Sequence, residues 1–320
     1  MVSFMSTLVN RCVGIDISSK KLDASANVIL KKKGFKNNAS GITRLLEELD
    51  RIKPDLIVVE ATGGYEKALV DSLHKHGLVV AMVDPRRVRD FARACGLLAK
   101  TDAIDACVLV NYGLKMCPEP TPKPDPNVEE IDELRTRHSQ LTDILVAEKN
   151  RLKTAPERMK EGIRNHIRWL DKELNDLEGQ IKKAIDKVPA LKNVSQIMQS
   201  IPGVGPGTTA AVIGGLPELG NLDHRKIAAL VGVAPHPHDS GTLKGKRYIR
   251  GGRASVRSAL YMAAMSAIQH NSLIKGYYQR LLAAGKEKKV ALIACVHKLL
   301  IILNAMVREQ KKWCPDPSGA

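Results

Sequence analysis

Three features of the sequence predict an α/β domain followed by two helical segments. Residues 11–115 alternate strand-like and helix-like patterns, alternate prolines then interrupt the chain, and an apolar spacing of four and three residues follows them.

Arg11–Ile17 (RCVGIDI) is a short apolar run, and Leu22–Ile29 alternates as a half-buried strand does. Gly41–Arg51 has helical spacing, and Asp55–Glu60 (DLIVVE) reads as a buried strand. Glu66–His76 predicts a helix, Leu78–Val83 another strand, and Pro85–Ala94 and Thr101–Leu114 two further helices. Strands separated by helices predict a sheet with parallel members. Pro118, Pro120, Pro122, Pro124 and Pro126 then favour an extended connection. That places a boundary near 125 and a first domain at 1–125.

Within Glu129–Val188, Ile163, Ile167, Leu170, Leu174, Leu177, Ile181, Ala184 and Val188 keep a four-three spacing. Ile131, Leu134, Leu141, Leu145 and Leu152 fit the same spacing, with His138 and Glu148 as polar interruptions. Two long helices around Pro156 follow. A coiled-coil hairpin, an oligomer contact and a plain helical spacer satisfy the pattern equally, so the second segment is set at 126–192. The third, 193–320, is helical and punctuated by glycine.

Charge narrows the partner. Lysine and arginine number 50 against 34 acidic residues, a formal net charge of +16. Residues 201–320 hold 17 basic against 6 acidic residues, so 11 of the 16 surplus charges lie there. A polyanion is the expected partner. At 44% hydrophobic the chain can build cores, which excludes wholesale disorder; at 3% aromatic it lacks the rings of a general single-strand binder. Six cysteines without a CxxC pair argue against zinc-ribbon and redox sites and for buried free thiols. Apolar stretches such as Ala291–Leu303, interrupted by His297 and Lys298, fall short of the ~20 residues of a membrane span. Met1–Asn10 has no signal-peptide pattern. The expected setting is cytoplasmic, with no membrane partner.

Four carboxylates stand out in the α/β region. Asp16 ends the first strand, Glu60 closes DLIVVE, and Asp102 and Asp105 lie three apart in KTDAID, on one helix face. Strand ends gather functional groups in α/β sheets, and hard carboxylate oxygens suit Mg²⁺. Spacing alone leaves caps and solvated pairs as alternatives, since Asp23, Asp55, Asp84 and Asp90 are also at hand.

Further on, Gly203, Gly205 and Gly207 in IPGVGPG precede an apolar helix, a pattern similar to a helix-hairpin-helix grip on a nucleic-acid backbone. A plain helix corner is the alternative. Lys244, Lys246, Arg247, Arg250, Arg253 and Arg257 follow without an acid between them, on a glycine-rich stretch suited to phosphate. His236, His238, Asp239 and Ser240 precede it. Ser240, Ser255 and Ser258 are all candidate nucleophiles, and proximity alone makes His236 and His238 candidate proton shuttles. A hydrolase triad is disfavoured because there is no GxSxG elbow.

GIDISSKKLD, VVEATGGYE, VDPRRVRDFARACGLLAKTDAIDA, SIPGVGPGTTAAVIG and HDSGTLKGKRYIRGGR, in that order, resemble the DEDD transposases of insertion sequences across nearly the whole chain. The resemblance implies a RuvC-like (ribonuclease H-like) first domain in which Asp16, Glu60, Asp102 and Asp105 hold Mg²⁺. It singles out Ser240 as the nucleophile that forms a phosphoserine with DNA. It further implies guidance by a structured bridge RNA and a homo-oligomer, a dimer assembling to a tetramer, with sites composed between subunits. It places the protein in a prokaryotic cytoplasm, at the nucleoid. The rival readings are a metal-dependent nuclease or junction resolvase without a serine intermediate, and a non-enzymatic nucleic-acid scaffold.

Overall fold

The computed structural model describes residues 9–28, 33–97, 102–236 and 247–315, with the backbone alone at 102–104. The chain divides into two units, Met1–Lys123 and Pro124–Ala320, and the break falls within the alternating prolines.

The first unit is built on a five-stranded sheet of order β3-β2-β1-β4-β5. Its strands are β1 (Cys12–Ile17), β2 (Lys21–Ala26), β3 (Lys33–Lys36), β4 (Leu56–Glu60) and β5 (Val80–Val83). β1, β2 and β3 pair antiparallel, while β1, β4 and β5 run parallel. The strand β3 was not anticipated: KGFK is too short and too polar to show a period. The helices are α1 (Ala39–Ile52), α2 (Lys67–Lys75), α3 (Pro85–Ala94) and α4 (Asp102–Met116).

Alternation along each strand divides the core in two. Val13, Ile15, Ile17, Leu22, Ala24, Ile57 and Val59 face one way, against Leu45 and Leu49 of α1 and Leu69 and Leu73 of α2. Cys12, Val58, Ala81 and Val83 face the other, against Val88 and Ala92 of α3 and Val108, Leu109 and Tyr112 of α4. Phe91 of α3 meets Tyr112 edge-on, with centroids 5.4 Å apart. On this second face α4 lies directly on β1. A Cβ at Gly14 would sit 2.4 Å from the Ala106 carbonyl oxygen, and one at Gly113 would sit 2.4 Å from Cys12 Sγ.

The second unit is helical: α5 (Pro126–Thr154), α6 (Glu157–Lys187), α7 (Pro189–Gln199), α8 (Pro206–Gly215), α9 (His224–Val231), α10 (Ala254–His270), α11 (Ser272–Ala283) and α12 (Lys288–Glu309). α5 and α6 form an antiparallel hairpin. Glu130 reaches Lys187, His138 reaches Glu178, and Lys149 reaches Asp171. Its seam is Leu141 and Leu145 against Leu170, Leu174 and Leu177. The polar interruption Glu148 is buried in this hairpin beside Arg151 and His166. The hairpin is not a separate body: Ile131, Ile181, Ala184 and Ile185 join the core of the helical unit. Intramolecular packing takes up Ile131, Leu141, Leu145, Leu170, Leu174, Leu177, Ile181 and Ala184 of the apolar spacing.

The apolar run around Ala291–Leu303 extends further than its sequence suggested. α12 is long and apolar enough to cross a bilayer by length and composition, but it is the central core helix, with Leu299, Leu300 and Leu303 fully buried. Its buried Asn304 accepts from Gly220 N–H at 2.7 Å and donates to the Leu222 carbonyl at 2.9 Å. The thiols also depart from expectation. Cys12 and Cys295 are buried, and burial pushes them up to about 12 and about 11, whereas Cys95, Cys107, Cys117 and Cys314 are exposed.

Gly14→Ala forces α4 off β1, and a loss of about 1–3 kcal/mol in denaturant unfolding is expected. Gly179→Ala, on the exposed interior of α6 with nothing within 4 Å of the new methyl, is expected to gain about 0.5–1 kcal/mol.

Candidate active site

Asp16 and Glu60 occupy corresponding places on adjacent parallel strands. The β1–β4 register pairs Ile15 with Val59, so Asp16 and Glu60 come next, on strands ~4.8 Å apart. Both belong to the face shared with Cys12, Gly14 and Val58, and both are partly exposed. α4 crosses this face antiparallel to β1, with Gly113 over Cys12 and Ala106–Val110 over Gly14. Continuing one turn towards the helix start brings the Asp102–Asp105 segment over Asp16. Asp105 is partly buried; Asp102 begins the helix, and its side chain lies outside the described residues.

The turn after β4, which follows Glu60, is braced by Glu66. Gly63 and Gly64 take φ of +73° and +113°, and the Glu66 carboxylate accepts from Thr62 N–H at 3.1 Å, Thr62 Oγ1 at 2.9 Å and Gly64 N–H at 2.9 Å. Burial pushes the Glu66 carboxyl up, but these hydrogen bonds together hold it below the ordinary range. Glu66 escaped the sequence reading, although an acid four residues after a threonine in a Gly-Gly turn is a legible brace. Asp23 escaped it too. It pairs directly across β1 from Asp16, is 3% exposed, and meets Lys21 Nζ at 2.8 Å. The signal was strand register: opposed residues of an antiparallel pair share a face.

All four predicted ligands offer hard oxygen, a donor set that fits a divalent cation such as Mg²⁺. Among the described residues, no three His, Cys, Asp or Glu side chains close into one cluster.

In the second unit the predicted glycines separate by role. Gly203, with φ of +102°, lies against α10, where a Cβ would come 2.6 Å from Ala267 Cα. It is a packing glycine. Gly205 caps α8 and Gly207 lies in its first turn, and a Cβ at either meets nothing within 4 Å. The element is a helix–turn–helix corner whose two later glycines face open space.

Ser240, His238, Lys244 and Lys246 lie outside the described residues. The flanks of their segment meet: His236 N–H donates to the Tyr248 carbonyl at 2.8 Å, and Tyr248 N–H returns the bond at 3.2 Å. Arg247 and Arg250 are exposed. Arg253 and Arg257 are engaged within the protein. Arg253 forks onto Glu218, with Nη2–Oε1 at 2.7 Å, and donates to the Gly215 carbonyl at 3.0 Å. Burial pushes the Glu218 carboxyl up, but the Arg253 bridge and its hydrogen bonds hold it below its usual range. Arg257 donates to the Val231 and Gly251 carbonyls at 3.0 and 2.6 Å. These two arginines frame the exit of the basic segment.

Comparison with known proteins identifies the family. Residues 13–158 match the DEDD-type IS110 transposase family, and residues 195–279 match the IS116/IS110/IS902 transposase family. The pilin gene-inverting protein of Moraxella bovis is 28% identical over 312 residues, 94% of this chain and 97% of that protein. Its counterpart in Moraxella lacunata is 28% identical over 314 residues, again 94% and 97%. An uncharacterized 42 kDa protein of insertion element IS900 from Mycobacterium paratuberculosis is 30% identical over 157 residues, 47% of this chain and 38% of that one. The chain belongs to the IS110/IS116/IS902 family of insertion-element transposases and is a DNA transposase/recombinase.

Proposed function

We propose that this enzyme cuts and rejoins DNA at the ends of an insertion element through a phosphoserine at Ser240, with the carboxylates Asp16, Glu60, Asp102 and Asp105 holding Mg²⁺. The observation that carries the reading is the placement of Asp16 beside Glu60 at adjacent strand ends, with the start of α4 brought over them. Inversion of a gene segment, the activity in the name of the Moraxella relatives, is cutting followed by rejoining. It favours recombination over hydrolysis.

In this reaction the Ser240 oxygen attacks a DNA phosphorus, loses its proton to a neighbouring base, and expels a deoxyribose hydroxyl that takes up a proton. The serine ester keeps the phosphodiester bond energy, so a hydroxyl from the exchanged strand reverses the step without a cofactor that supplies energy. A bound divalent ion supplies charge neutralisation at the phosphoryl oxygens. Arg247 and Arg250, exposed beside the basic segment, supply guanidinium forks to the phosphate and hold the strand. His236 and His238 are candidate proton carriers. The same proposal includes a structured guide RNA, a homo-oligomer reaching a tetramer, and a cytoplasmic site of action at the nucleoid.

Wild-type protein incubated with element-end DNA and Mg²⁺ is expected to yield a covalent protein–DNA adduct whose modified peptide contains Ser240. Ser240→Ala is expected to yield none, and Asp16→Asn or Glu60→Gln to slow its formation by ~10²-fold or more. Cleavage by Ser240→Ala at the wild-type rate would favour a nuclease instead. Affinity for DNA is expected to fall steeply with salt, and Arg247→Gln or Arg250→Gln each to reduce the slope of log K against log salt by about one. Arg253→Gln is expected to act on the fold, lowering stability by about 1–2 kcal/mol as Glu218 loses its partner.

A further inference from the structure

We propose that α3 is the rail that seats the cleaved DNA strand beside the carboxylates, with Arg86 and Arg87 gripping its backbone phosphates. The inference rests on the reading above that the carboxylates act on DNA. Three observations carry it.

The first is position. β5 pairs with β4 so that Val83 stands opposite Glu60, and α3 begins two residues later at Pro85. Its first turn is therefore one strand away from Glu60, at the same end of the sheet. α3 then packs through Val88 and Ala92 on the face that carries Asp16 and Glu60.

The second is charge. PRRVRDFARA holds four arginines and one aspartate. Arg93 meets that aspartate, Asp90, at 3.4 Å. Asp84, the acid at the helix start, is occupied in capping: its Oδ1 accepts from the Arg86 backbone N–H at 2.7 Å. Arg86 and Arg87 are exposed, and neither guanidinium pairs with a carboxylate among the described residues. Two forks without acid partners, on a rigid helix rather than a loop, suit the bidentate geometry of phosphate.

The third is direction. Phe91 and Tyr112 touch edge-on at 5.4 Å and turn one flank of α3 towards one flank of α4. Arg87 precedes Phe91 by one turn on that flank of α3, and Asp105 precedes Tyr112 by two turns on the facing flank of α4. Both helices start at the carboxylate end of the sheet. Arg87 and Asp105 thus lie on the facing flanks of α3 and α4, both towards the carboxylate end of the sheet. A phosphodiester held by the α3 arginines would have its reacting phosphorus next to the carboxylates.

The test compares Arg86→Gln/Arg87→Gln, Arg87→Lys and Arg93→Gln in the full chain. Binding of a fluorescent single-stranded DNA and of a structured RNA is followed across a salt series, alongside adduct formation on element-end DNA and thermal unfolding. The double variant is expected to unfold like wild type, to lose about 10- to 100-fold in DNA affinity, and to lower the salt slope by about two. Arg87→Lys is expected to recover binding only in part, because lysine offers no fork, and Arg93→Gln to change little. Unaltered DNA binding in the double variant, an equal loss from Arg93→Gln, or a loss confined to RNA would each overturn the proposal. If wild type forms no adduct, the reaction assigned to Ser240 fails, while the DNA-binding arm still decides the role of α3.

Discussion

Everything at the carboxylate end of the first unit depends on how closely α4 approaches β1. Two glycines set that distance, Gly14 in the strand and Gly113 in the helix, since a Cβ at either would overlap its neighbour. With no side chain between them the helix rests on strand backbone, and its path over the sheet is determined to within a fraction of a turn. The Asp102–Asp105 segment then comes over Asp16 as a consequence of packing within the two turns that follow it. Dense cores transmit position in this way because they do not deform continuously.

The parallel pairing of β1 with β4 provides the other half. Asp16 and Glu60 come side by side because each follows the paired residues Ile15 and Val59 by one step, Asp16 next to last in β1 and Glu60 last in β4, and sheet alternation sends both to the α4 face. Glu66 keeps the turn beyond Glu60 in place through its three hydrogen bonds to Thr62 and Gly64. Carboxylates brought to one end of a sheet repel when they approach one another. Such an arrangement is expected where a cation joins the set.

Much of this was legible in the residues. Strand and helix periods located the main elements from β1 to α4. What stayed hidden depends on contacts distant in sequence. Arg253 and Arg257 look like phosphate ligands in a basic run, but Glu218 and the carbonyls of Gly215, Val231 and Gly251 claim their donors. Gly203 looks like part of a phosphate-binding turn, but its missing side chain makes room for α10. Asp23 passes for one acid among many until the hairpin register sets it opposite Asp16. Apolar spacing in α5 and α6 showed two long helices without showing that they pair with each other and share the core of the helical unit.

The central claim is that the ends of β1 and β4 and the start of α4 converge on one cation. Replacing Mg²⁺ with Fe²⁺ and generating hydroxyl radicals at the bound ion cuts backbone close to its ligands, and the fragments identify which segments surround it. The account predicts cuts at three places together, near residues 16, 60 and 102–105, all suppressed by excess Mg²⁺ and by Asp16→Asn. Cutting at one of these segments alone, or elsewhere in the chain, would contradict it.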